Sequence, residues 1–142
     1  MEVSQVRRRL AAAIEQARRS QHQRRERNAE AQRAYDVFLA DVAVPITRMV
    51  AGALKADGYP FTVATPGGGL RLTSDNRRDD YVEIRLDATM NPPEVVGLTS
   101  YGRGSRTITE ERPLKPGAAP QAITEEDFLE FVVKALEPWL ER

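Results

Sequence analysis

The side chains that could do chemistry are few in this chain, and most of them sit among neighbours that argue against it. There is one histidine and no cysteine. His22 would serve as a general base only inside a pocket with a carboxylate to orient it. Its sequence neighbours are Arg18, Arg19, Arg24, Arg25 and Arg27, so it reads as a solvated side chain. The lack of Cys excludes disulfides, thiolate catalysis and cysteine-based zinc sites. Asp75, Asn76, Asp79 and Asp80 form an acidic turn that invites a hard cation, but the calcium-loop pattern fails. Arg77 occupies its third position and no Gly stands at its sixth. Gly67-Gly68-Gly69 is not a phosphate cradle either. A P-loop continues with Gly-Lys-Ser/Thr into a helix, whereas Leu70-Arg71-Leu72-Thr73 reads as strand. The expectation is a protein with no catalytic residues, no metal and no cofactor.

Arginine is the residue type with some force. Residues 1–33 hold nine Arg against four Glu, a net of +5, and residues 34–142 carry a net of −5, so the chain as a whole is neutral. Arg7, Arg8, Arg18, Arg19, Arg24, Arg25 and Arg27 recur along the first segment, and at 100° per residue they spread around most of a helix. Such an array would neutralise phosphates without reading sequence. Tyr101-Gly102-Arg103-Gly104-Ser105-Arg106 adds an aromatic and two guanidinium groups of the kind that stack on and pair with single strands, Arg103 being its candidate contact. The plainer reading of both is solvated surface.

These residues need elements to position them, and the largest is at the start. No Gly precedes Gly52 and no Pro precedes Pro45, so a helix can run for about forty residues, a rod of roughly 60 Å. A body built from the remaining residues has a radius of gyration of only about 13 Å, so the rod should overhang it. Val3, Val6, Leu10, Ala13 and Ala17 step by three and four as a coiled-coil seam. Residues 18–30 are polar. Ala31, Tyr35, Phe38, Val42, Ile46, Met49 and Ala53 then form a stripe suited to a globular core, flanked by Ala34, Val50 and Leu54. Pro45 should kink or break the helix, and Gly58 should cap its end near residue 57. No stretch reads as the roughly 20 apolar residues of a membrane span, and a cytoplasmic protein with no membrane contact is expected.

Five strands follow between residues 59 and 114: Tyr59–Thr65, Leu70–Ser74, Tyr81–Asp87, Val95–Tyr101 and Arg106–Leu114. Turn-length connections favour an antiparallel meander, and the alternation of Val82, Ile84 and Leu86 with Glu83, Arg85 and Asp87 leaves one face solvated. The last helix, within 124–142, opens with Thr124 as N-cap and Asp127 as its capping-box partner, with Ile123 stapled to Phe128. It carries Phe128, Phe131, Val132, Ala135, Leu136, Trp139 and Leu140 as its apolar stripe, and Pro138 should distort its final turn. The predicted class is α+β, with a basic helical arm at 1–33 and a globular domain at 34–142.

Two functions fit. The first is a non-enzymatic, oligomerising scaffold or adaptor whose long helix pairs with a second copy or with a helical partner protein. Its interface would use Val3, Val6, Leu10, Ala13, Ala17, Ala31, Ala34, Tyr35 and Phe38. Antiparallel pairing about a centre near His22 sets Val6 against Phe38 and Leu10 against Ala34 and Tyr35, whereas a parallel pair faces Arg24 with Arg24 and Arg27 with Arg27. The second is an accessory protein that holds nucleic acid through the arginines.

Overall fold

The computed structural model describes residues 1–141. Two compact units can be distinguished, Met1–Glu30 and Ala31–Arg142. Helix α1 (Val3–Phe38) supplies all the secondary structure of the first and begins the second. Then come a π-helical segment (Leu39–Ala43), α2 (Val44–Ala56), five strands and α3 (Glu125–Leu140). The strands are β1 (Phe61–Ala64), β2 (Leu70–Ser74), β3 (Tyr81–Asp87), β4 (Glu94–Arg103) and β5 (Arg106–Pro113). They pair in sequence order, each antiparallel to the next, as the short connections require. The protein is α+β with an open five-stranded sheet.

The distortion expected near Pro45 takes the form of the π segment. Pro45 has no N–H, and its ring would press on the carbonyl four residues back. A wider turn relieves this: the Val44 N–H donates to the Leu39 carbonyl, five residues away, and the helix continues to Ala56. The extra residue has a consequence for burial. Ahead of it the inward face is Tyr35, Phe38 and, half-buried, Val42, which would continue as Met49 and Ala53. The face after it is instead Ala43, Ile46, Thr47, Val50 and Leu54, displaced by one position. Met49 is 66% exposed and Ala53 is exposed, contrary to the expected stripe. The helix then ends in a Schellman motif. Gly58 at φ +87° donates to Lys55, and the Tyr59 N–H donates to the Leu54 carbonyl at 2.8 Å.

One face of the sheet carries Leu70, Leu72, Val82, Ile84, Val95 and Gly97, and α2 and α3 cover it. Phe38 meets Phe128 edge-on at 5.7 Å, and Trp139 meets both Phe61 and Tyr101 edge-on. The other face is a polar ladder. Arg71 pairs with Glu83 directly across the strands and lies 4.2 Å from the centre of the Tyr81 ring, and Arg85 reaches Glu111 at 2.8 Å. The β4–β5 turn is tighter than expected, because Arg103 still pairs with Arg106 and only Gly104-Ser105 connect them. Gly104, at φ +63°, is the single left-handed residue that this turn needs.

Helix α3 starts as its sequence implies. The Asp127 N–H donates to Thr124 Oγ1, and the Thr124 N–H donates to Asp127 Oδ2. Its buried stripe runs from Phe128 to Trp139, whereas Leu140 is exposed. Pro138 falls in the last turn, and α3 continues through it to Leu140. The Asp127 carboxyl is held below its usual range by the Thr124 N–H, then by Lys115 Nζ at 3.1 Å and the Thr124 hydroxyl. A lowered carboxyl pKa contributes stability that is present above the unfolded value and lost as pH falls through the folded one. Asp127→Asn, which removes the carboxylate itself, should therefore lower stability at neutral pH, and the deficit relative to the wild type should shrink below about pH 4. Thermal melts at pH 7 and pH 3 measure both. A deficit that grows on acidification would show that the carboxylate does not help the cap.

Among the described residues, the Thr47 hydroxyl is a core polar group without a partner. Thr47 Oγ1 makes no hydrogen bond and faces a cavity of about 10 Å3 lined otherwise by Leu70, Leu72, Val82, Ile84, Phe128, Phe131 and Val132. A water there would find one polar residue where it needs two or more, so the cavity stays dry. Thr47→Val keeps the shape and removes the orphan hydroxyl, and it should stabilise the fold by about 1 kcal/mol. A lower melting temperature for this variant would show that the hydroxyl is bonded after all.

Candidate functional site

The first unit presents its seam to solvent. From Val3 to Arg19 every residue is exposed, and Val3, Val6, Leu10 and Ile14 are each at least 42% accessible. Ala13 and Ala17 extend the same face. Ile14 was missed by a strict three-and-four count, although it lies beside that seam, one residue past Ala13. The helix holds itself with exposed pairs one turn apart, Arg19 with Glu15 at 2.8 Å and His22 Nε2 with Glu26 at 3.0 Å. Such pairs contribute only tenths of a kcal/mol, and so His22 is a surface residue as its context implies. Among the described residues, Arg7, Arg8, Arg18, Arg24 and Arg25 have no ion-pair partner. Arg27 is half-buried, and its Nε has no hydrogen-bond partner.

The second unit takes two of the nine candidate interface residues for itself. Tyr35 (1% exposed) and Phe38 (3%) lie in the core, and the Tyr35 hydroxyl points at the Ile84 carbonyl. Burial pushes the Tyr35 phenol well above its ordinary value, with help from the charges of Asp36 and Glu83. The sequence could not distinguish these roles, since both residues lie on the stripe read for the core and beside or on the continuation of the seam. Ala31 and Ala34 remain half-exposed, and Val37, outside the candidate set, is 59% exposed. Val37 forms one wall of an open groove of about 390 Å3 with Ala34, Phe38 and Val42, faced by Pro120, Gln121 and Ile123.

Arg103 sits beside the β4–β5 turn with Arg106 opposite, both exposed. The aromatic meant to accompany it is committed elsewhere. The Tyr101 ring stands edge-on to Trp139 at 6.0 Å, and so it is not a free platform for a base. The acidic turn is also structural. Among the described residues no cluster of His, Asp and Glu is placed to hold a metal ion. Asp80 is 2% exposed and accepts the Gly102 N–H at 2.8 Å and the Trp139 indole N–H at 3.0 Å. Arg77 comes within 3.7 Å of the same carboxylate and lies against Gly102, where a Cβ would fall 1.7 Å from its Nη1. This buried acceptor was invisible in the sequence, where Asp80 resembles any turn aspartate.

One stretch of 18 residues in the helical run Val3–Ala56 is long and apolar enough to cross a membrane by length and composition, and 22% of it is buried in the molecule. This corrects the expectation that no stretch comes near. Asp41, Pro45 and Arg48 punctuate the run, and they hide how apolar it is on average. In this fold Phe38, Ala43, Ile46 and Leu54 of that run are core residues.

Comparison with protein-family models, with curated proteins and with solved structures returned no match.

Proposed function

We propose that this is a non-enzymatic assembly module, a small scaffold or adaptor that forms a homodimer through its N-terminal helix. The observation that supports this reading most is the exposed apolar seam. Val3, Val6, Leu10 and Ile14 lie on one side of a helix whose first seventeen residues are all exposed. A mostly polar helix of this kind is marginal in water unless a partner packs against its apolar side. Met49 and Met90 are exposed singly, as on any surface, whereas Leu129, Val133 and Leu140 form a second, shorter exposed apolar face on α3. Sedimentation equilibrium from 1 to about 100 µM tests the reading, a range that brackets ordinary self-association constants. A mass of two chains, reduced to one by Leu10→Glu, is the expected result. A single-chain mass throughout would leave the seam to a different helical protein or remove it as an interface.

The unpaired arginines favour one alternative, an accessory protein that holds nucleic acid by its phosphates. Binding of that kind weakens steeply with salt, by roughly one decade of affinity per decade of salt for each contact. Replacing Arg24, Arg25 and Arg27 together by Gln should then remove most of it. No retention of single or double strands at low salt would end this alternative.

A further inference from the structure

We infer that the groove beside Val37 is the seat for the first turns of a second copy, with the two α1 helices antiparallel. This deepens the proposed assembly through α1 and rests on it. Ala34, Val37 and Val42 wall the groove on one side, Pro120, Gln121 and Ile123 on the other, and Phe38 lies at its floor. Its one charged lining residue is Asp41. An occupant that fits is therefore apolar over about two helical turns and basic along its border. Residues 3–10 of the same chain answer that description: Val3, Val6 and Leu10 are exposed on one face, with Arg7, Arg8 and Arg9 around them.

Heptad phase supports the match. Residues 31, 34 and 38 continue the phase of 3, 6, 10, 13 and 17 within α1. Antiparallel helices pair the first core position of the heptad with the second. The pairs that result are Val6 with Phe38, Leu10 with Ala34, Ala13 with Ala31 and Ala17 with Arg27. A twofold axis makes the contact reciprocal, so each copy fills the groove of the other and no apolar end is left over. Small residues opposite Arg27 leave room for its guanidinium to reach water. A parallel pair does the opposite: it apposes Arg24 with Arg24 and Arg27 with Arg27 and leaves both grooves empty.

The test uses the full chain. Val37 is largely exposed, so Val37→Glu leaves the core intact and places a charge beside Asp41 in the groove. It should raise the dissociation constant of the dimer about 30-fold or more, as for a central interface residue, with an unchanged unfolding temperature for the domain at low concentration. A Leu10→Cys, Ala34→Cys double variant should form a covalent dimer under mild oxidation. Neither single variant should, because like positions then stand about 36 Å apart. A dimeric wild type with Val37→Glu at wild-type affinity, or efficient cross-linking of Leu10→Cys alone, would overturn the groove while leaving assembly through α1 in place. A monomeric wild type overturns both.

Discussion

Asp80→Ala is expected to cost about 3–5 kcal/mol, a large share of the 5–15 kcal/mol that holds a domain of this size together. The reason is accounting for donors. The Asp80 carboxylate lies in the interior and accepts both the Trp139 indole N–H and the Gly102 backbone N–H. Alanine leaves those two donors buried with an acceptor gone, at about 1–3 kcal/mol each. It also frees Arg77, which lies over Gly102 and approaches the same carboxylate. Asp80→Asn preserves the shape and one acceptor but turns an amide N–H toward the second donor, so an intermediate loss is expected. Trp139→Phe removes the indole donor while keeping a ring, and should relieve part of the Asp80→Ala penalty in the double variant. Equilibrium urea unfolding of the four proteins measures the coupling. Strict additivity would mean that the Asp80–Trp139 bond contributes nothing, and a near-neutral Asp80→Ala would mean that water reaches the site.

Gly97→Ala is the second large effect, and its sign is the informative part. Judged by strand propensity alone, alanine should be the better residue by about 0.5–1 kcal/mol. The structure reverses that. A Cβ on Gly97 would lie 2.0 Å from Phe131 Cζ, and two more atoms of the same ring fall within 2.9 Å. The ring is seated directly on the backbone of β4, and Arg112, the cross-strand partner of Gly97, holds its guanidinium 5.5 Å from the ring centre. Either α3 lifts or Phe131 leaves its rotamer, and overpacking of this kind costs about 1–3 kcal/mol or more. Phe131→Ala, by opening a cavity instead, should cost about 3–5 kcal/mol. The pair Gly97→Ala with Phe131→Leu should lose less than the sum of its parts, because the smaller side chain makes room for the methyl group. Chemical denaturation of the single and double variants checks this. A stabilising Gly97→Ala would show that α3 does not press on the sheet here.

Both effects lie in the unit formed by residues 31–142, and both act on α3. That helix carries Phe128 against Phe38, Phe131 against Gly97 and Trp139 against Asp80, three anchors on one stripe. The proposed groove draws one wall from the segment that leads into this helix, since Pro120, Gln121 and Ile123 precede Thr124 directly. Variants of the groove should therefore be chosen at Val37 rather than at Ile123, which is itself core.

Local chemistry was legible in the sequence wherever the deciding atoms lie within a few residues of each other. The Thr124–Asp127 capping box, the glycine stop at Gly58 and the alternation of β3 all depend on such neighbours, and all appear as read. So does the antiparallel order of the strands, because connections of turn length leave little choice. What sits opposite a given side chain is a different matter, and only the tertiary structure decided it. The one extra residue that the π-helical segment inserts ahead of Pro45 moved the inward face from Met49 and Ala53 to Val50 and Leu54. Tyr35 and Phe38, read both as part of the core stripe and as interface, went to the core, since helical spacing does not say which partner a stripe will meet. Asp80 and Gly97 look like an ordinary turn and an ordinary weak strand position. They matter here because Trp139 and Phe131, more than thirty residues away along the chain, arrive on top of them.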